Sequence, residues 1–347
     1  MTVPGSTILL EGWDYLAGTT NFNGFITADG WVGSLAMTLI PGAFGGLAMR
    51  YGDLGGVGSG SAYRTVGKQY SHGAIFGFRG RMKIDRNGLS CGLGLYDAAL
   101  GHQPVLISFS QFGIVTATTP NKTYTSVTYA VLQNTWFYMS VKCLEDKFEV
   151  LLNGDIIFSD DNPGPMTTFD SMQFFSNAFG GNQSLIDTDD VYILDGGVDG
   201  IDYWGNVRVL PQLAVSNGDH IGLTPEPSTD QNWQAAINVS LNNTVYNFTP
   251  TVGEYDLYHP APSVAARQIF AVGVKGFYTQ DDGVQLWAKN RLNVSGVNYD
   301  GMERGLNSLN YRAQNDYWDL NPHTNVAWTE SDLNENLQMG PLLARSE

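Results

Sequence analysis

The chain has 347 residues, room for two domains of ordinary size, and its 34 acidic side chains against 18 basic ones give a formal net charge of −16. That balance argues against nucleic acid and against an anionic membrane face as partners, because both repel it. No apolar run approaches the roughly 18 residues of a membrane span.

The 41 glycines and the 12% aromatic content suit a chain of short strands and tight turns, so an all-β fold is expected. Cys91 and Cys143 each sit in an apolar, strand-like run. They read as small core hydrophobes rather than as a disulfide. The opening Met1-Thr2-Val3-Pro4-Gly5 lacks the basic region and long apolar core of a secretory signal, so assembly in a cytoplasm is expected. The six Asn-x-Ser/Thr sequons are then a by-product of an Asn- and Thr-rich composition.

In chain order, Ile8 to Tyr15 reads as an opening strand that ends in a turn. Residues 42–60 are so rich in glycine that they read as a surface loop. From Gly73 to Val115 strand follows strand, with a turn at Asn87-Gly88. Trp136 to Lys142 alternates large and polar side chains, and Lys147 to Phe158 turns back at Asn153-Gly154. That pair favours the type I′ turn matching strand twist. Phe169 to Phe175 and Asp190 to Leu194 continue the pattern. Turns this closely spaced point to a sandwich.

The acidic, glycine-containing stretch 195–200 reads as a linker, which divides the chain into domains 1–198 and 199–347. The second domain restarts a strand pattern, with segments at 205–210, 269–277 and 284–290. No helix is expected before Thr329-Glu330-Ser331-Asp332, a capping-box-like start with Asp in place of Glu. A short helix should run from there to about Leu337 and stop at Gly340-Pro341.

Residues 130–195 resemble the concanavalin A-like lectin/glucanase sandwich of the laminin-G-like type found in phage virion proteins. The resemblance rests on the Trp136 strand, the Asn153-Gly154 hairpin, the Phe169 to Phe175 strand and Asp189-Asp190-Val191-Tyr192, with Leu10 to Tyr15 similar to a first strand. Further on, Asp189 to Asp195 followed by Tyr203-Trp204-Gly205-Asn206-Val207-Arg208-Val209 is similar to a phage pattern. In that pattern a strand ending Asp-Asp-Val-Tyr precedes Leu-Gly-Asp-Val-Arg-Val; here Trp204 and Asn206 replace its Leu and Asp. Glu254 to Tyr258 and Asn321 to Thr329 resemble later signatures of the same second domain.

The resemblance implies a concanavalin A-like jelly-roll sandwich followed by a second β-rich, sandwich-like domain. It also implies a structural protein of a bacteriophage particle: tail-associated, a head decoration or fibre-like. Its partners would be other virion proteins and copies of itself. The alternatives are a virion adhesin that contacts host glycans and a glycan hydrolase of the same fold.

Glucanases of this fold carry Glu-x-Asp-x-Glu or Glu-x-Asp-x-x-Glu on one strand face. The nearest run here, Glu145-Asp146-Lys147-Phe148-Glu149, reads as a solvated hairpin, so no catalysis is expected. Gly88-Leu89-Ser90-Cys91-Gly92 matches GxSxG but runs from a turn into a strand, not into the helix a nucleophile elbow requires. The five histidines are dispersed, which excludes zinc-ligand spacing. No cofactor is expected beyond calcium, for which Asp187, Asp189 and Asp190 are the candidate ligands, weighed against a solvated acidic linker. Trp31, Tyr51, Tyr63 and Tyr70 flank the glycine-rich segment and are the candidate sugar-stacking aromatics, weighed against core packing.

Overall fold

The structure, a computed structural model, describes the chain apart from residues 1–4, 18, 20–21, 53–58, 166, 179–181, 229–230, 238–240, 242–243, 263–267, 281–284, 307–309 and 347. It is nearly all β, as the composition requires. Two compact units are distinguishable: residues 6–14 with 31–210, and residues 1–5 with 15–30 and 211–347.

The first unit contains two antiparallel sheets. Among the described residues, one sheet runs in the order Asp155–Asp160, Phe148–Leu152, Phe137–Cys143, Ala74–Ile84, Ser184–Asp195, Leu47–Tyr51, Met37–Pro41, with Thr7–Glu11 also paired to Ser184–Asp195. The other runs Thr123–Thr125, Val115–Thr118, His102–Ser110, Ser90–Asp97, Phe169–Asn177, Ser59–Tyr70, Trp31–Gly33. Alternation of side chains along each strand buries one set from each sheet. Phe76, Phe78, Met139 and Val141 from the first sheet, and Leu93, Leu95, Ile107, Phe109 and Phe174 from the second, are almost wholly buried.

The Asn153-Gly154 turn forms as expected. Both residues have positive φ, 54° and 96°, and Leu152 faces Asp155 across a two-residue loop. Cys91 and Cys143 are free, buried thiols, and burial pushes both up, Cys143 to about 12.

Two readings of this unit need correction. The glycine-rich stretch is not one loop: Leu47–Tyr51 is a strand whose Ala48, Met49 and Tyr51 are buried, paired to both Met37–Pro41 and Ser184–Asp195. Its densest glycine run, at 55–58, lies outside the described residues. Residues 205–210, expected to restart a strand, form none, and the segment that follows the 195–200 linker packs back onto this unit. Trp204 stacks on Tyr192 at 5.2 Å, Arg79 donates to the Asn206 Oδ1 at 2.6 Å and to the Val207 carbonyl, and the Val209 amide donates to Asp190 at 2.8 Å. The expected boundary near residue 199 therefore falls inside this unit.

In the second unit the largest sheet runs Ala214–Ile221, Asp256–Pro260, Leu337–Ser346, Leu286–Val294, Val297–Asp300, with Arg304–Leu306 also on Leu286–Val294. Val272–Tyr278 pairs with Arg312–Trp318 separately. Val274, Leu292, Val294, Trp328 and Leu337 form a core cluster, and the Trp328 indole donates to the Trp318 carbonyl at 2.8 Å. The expected short helix is present at Glu330–Glu335. Its Thr329 cap and Asp332 exchange hydrogen bonds, so Asp does close the box. The helix ends at Glu335, before Leu337, and Gly340-Pro341 lies within Leu337–Ser346, a ten-residue strand between Asp256–Pro260 and Leu286–Val294. Short helices at Phe22–Ala28 and Asn232–Ala236 were not legible in the sequence pattern.

Candidate functional site

The site is built on the outward face of the seven-stranded sheet. In Phe169–Asn177 the even-numbered Met172 and Phe174 point into the core, so Gln173, Phe175 and Asn177 point out. Pairing sets their neighbours: Gln173 lies opposite Tyr63 on one side and Gly94 on the other, and Phe175 lies opposite Ser61 and Gly92. Gly92 and Gly94 in turn face Ser108 and Leu106. A Cβ on either glycine would come within about 2 Å of a carbonyl of the neighbouring strand (2.0 Å at Gly92, 2.1 Å at Gly94), so close strand approach demands glycine at both. The result is a low stretch of backbone in the middle of the face, and the Phe175 ring lies over Gly92, where a Cβ would meet it at 2.6 Å.

Gln173 is the hub. Its amide donates to Ser61 Oγ at 2.9 Å and to the Tyr63 hydroxyl at 3.1 Å, while its carbonyl accepts from Gln103. Tyr63 packs on Tyr96 with ring centroids 4.6 Å apart. Burial, then the neighbouring Tyr63 and Asp170, hold the Tyr96 hydroxyl above its ordinary range, so it stays a neutral donor. Beside this group an open depression of about 460 Å³ is lined by Gly33, Ser59, Gly60, Tyr63, Phe175 and Asn177. Ser59 Oγ donates to Asn177 there, at 2.6 Å. Amides, hydroxyls and half-buried rings in this arrangement can hydrogen-bond and stack on a polyhydroxylated ring.

The four candidate aromatics separate. Trp31 and Tyr51 are core residues, 4% and 0% exposed. Trp31 packs against Trp13, Tyr51 and Phe174, and Tyr51 stacks on Phe174 at 4.0 Å, so neither ring is open to a sugar. Tyr63 belongs to the face just described. Tyr70 is partly exposed at the far end of the same strand, stacked on Phe169 at 5.3 Å with Lys68 over its ring. Gln103, Gln173, Tyr96, Phe175 and Asn177 were missed. The alternation in Ser171 to Asn177 could have marked its outward residues, but strand order across the sheet is not written locally.

The aspartates also separate. Asp187 is 3% exposed and accepts from Arg50 (2.7 and 3.0 Å) and from Arg81 (2.8 Å), so it neutralises two cations. Asp190 accepts from Arg79 at 3.0 Å and from the Val209 amide. Asp189 caps the amides of Ala43 and Asp190, and burial, then the Asp190 charge, raise it to about 6. Among the described residues no three His, Cys, Asp or Glu side chains converge as a metal site. In this arrangement arginine and backbone partners occupy the three carboxylates read as candidate calcium ligands.

Glu149 accepts from the Tyr203 hydroxyl at 3.1 Å and lies 3.7 Å from Lys147, which also pairs with Asp161. Ser90, of the GxSxG run, opens a strand and is followed by no helix.

Fold and face together define a nearly all-β protein whose first unit is built of two antiparallel sheets. No family model and no curated protein matches the sequence. Among solved structures the chain is similar to a sialidase (10% identity, TM-score 0.40, 54% of this chain and 18% of that one). It is also similar to a carbohydrate esterase from the Shiga toxin-encoding bacteriophage phi24B (12%, 0.39, 55% and 98%). A third is a Bacillus licheniformis β-glucanase (12%, 0.37, 55% and 98%). The chain thus spans less than a fifth of the sialidase's length. These likenesses are of fold. They correct the expectation that the chain is without catalysis, because its structural neighbours include glycan-active enzymes.

Proposed function

We propose that this protein binds glycan on the outward face of the seven-stranded sheet and does so as a surface component of a bacteriophage particle. The observation that carries the first half is the Gln173 hub, where one side-chain amide orders Ser61, Tyr63 and Gln103 beside the open depression. Preformed donors and acceptors beside two packed tyrosine rings bind a sugar with little ordering cost.

The particle assignment is supported by the resemblance of 189–195 and 203–209 to the phage pattern. The two stretches hold each other: Asp190 fixes Val209 and Tyr192 stacks on Trp204, so the pattern spells a folding contact as well as a family likeness. On this reading the other partners are neighbouring virion proteins and copies of the same chain, and host surface polysaccharide is the glycan.

A glycan array probed with the purified chain and with Gln173→Ala tests the binding. The wild type is expected to give a restricted set of positive glycans that the variant loses. An array blank for the wild type would sink the reading. Incubating the positive glycans with the chain and measuring new reducing ends separates binding alone from turnover. Mass spectrometry of purified particles tests the location.

A further inference from the structure

The two sheets of the first unit treat charge in opposite ways. The eight-stranded sheet carries Arg50, Arg79, Arg81, Asp187 and Asp190, tied together as ion pairs. On the other sheet, the strand stretches Ser59 to Thr65, Ser171 to Asn177, Ser90 to Tyr96, Leu106 to Ser110 and Val115 to Thr118 contain one charged residue, Arg64. Arg64 is 5% exposed and its guanidinium lies 4.0 Å from the buried Glu11 carboxylate, so it too is withdrawn from the outward face. Along these stretches that face presents Gln, Asn, Ser, Thr and Tyr groups beside Phe175 and Leu106; the remaining charges of these strands, Lys68, Asp97 and Asp170, lie at their other end, where the two carboxylates act on the Tyr96 hydroxyl.

From the absence of any outward cation along these stretches, and from the two carboxylates near Tyr96, we infer that the ligand is an uncharged glycan chain, not a uronate-containing, sialylated or sulfated one. The inference rests on the glycan-binding reading above and narrows it. An anionic sugar transferred from water to this face would lose hydration without gaining a cation, and a protein of net charge −16 would repel it from a distance as well. A neutral sugar loses only hydroxyl hydration, which the amides and hydroxyls around Gln173 replace. The polar groups span Ser59–Tyr70 to His102–Ser110, three interstrand spacings or roughly 14 Å, wider than one sugar ring. The ligand is accordingly a chain of sugars, and affinity grows with its length.

Calorimetric titration of the full chain with neutral oligosaccharides and with oligouronates or sialylated oligosaccharides of matched length tests this. Binding confined to neutral chains is expected, changing by less than about twofold when NaCl rises from about 0.1 to about 1 M. Tyr63→Phe, which keeps the ring and removes the hydroxyl, should weaken it by roughly three- to tenfold. Preferential, salt-sensitive binding of the anionic chains would overturn the inference while leaving glycan binding intact. Heat from neither class, with the chain folded by circular dichroism, would overturn both.

Discussion

Asp187 and Asp189 stand two positions apart on one strand and meet different partners. Asp187 meets Arg50 and Arg81, 137 and 106 residues away in sequence. Nothing local in Ile186-Asp187-Thr188 announces those cations, which is why the carboxylate reads as a metal ligand in the sequence. Replacing it with alanine strands two partly buried guanidinium groups, and Asp187→Ala is expected to cost about 3 kcal/mol. Thermal melts with calcium and with chelator should then superpose for the wild type; a melting point raised by calcium and insensitive in the variant would restore the metal site.

Asp189 has backbone donors but no cation within its hydrogen bonds, and its folded value lies near 6 against an ordinary 3.8. A carboxyl that holds its proton more tightly when folded makes the folded state less stable once it ionises. Its contribution is therefore least favourable above pH 6 and improves as the pH falls through 6 toward 4. Asp189→Asn removes that dependence. The melting temperature of the variant should exceed the wild type at pH 7, with the gap narrowing by pH 4; a gap independent of pH would refute the assignment.

At the scale of elements, apolar strand runs and turns with their own chemistry were legible: Asn153-Gly154, the Phe137–Cys143 strand that follows Trp136, and the Thr329 to Asp332 cap. Segments whose strand character comes from a distant partner were not. Leu47–Tyr51 is hemmed by glycines, and only pairing with Ser184–Asp195 makes it core. Leu337–Ser346 contains Gly340-Pro341, which locally signals a stop. Gly340 must be glycine because a Cβ there would lie 2.0 Å from the Asp256 carbonyl of the adjacent strand. The same logic hid the candidate site: Gln173, Tyr63, Gly94 and Leu106 form a row only after four distant strands assemble. Because the last strand lies inside its sheet, deleting residues 338–347 should remove slow hydrogen exchange from Leu286–Val294 and Asp256–Pro260. Protection retained at Leu286–Val294 in the shortened chain would contradict this placement.

Over the whole molecule, the all-β class follows from glycine, aromatic and turn content, while the net charge of −16 has a consequence of its own. Surface carboxylates in such excess repel one another more in the compact state than in the expanded one, and added salt screens that repulsion. Salt also weakens exposed ion pairs such as Lys147–Asp161 and Lys142–Asp202, whose acidic partners are 87% and 71% exposed. Exposed pairs contribute at most about 1 kcal/mol each. The buried Arg50–Asp187–Arg81 group is screened far less. Relief of the general repulsion should therefore win, and the melting temperature should rise as NaCl goes from about 0.1 to about 1 M. Potassium glutamate at the same ionic strength serves as a control for specific chloride effects. A melting temperature that falls in both salts would mean that surface pairing outweighs self-repulsion.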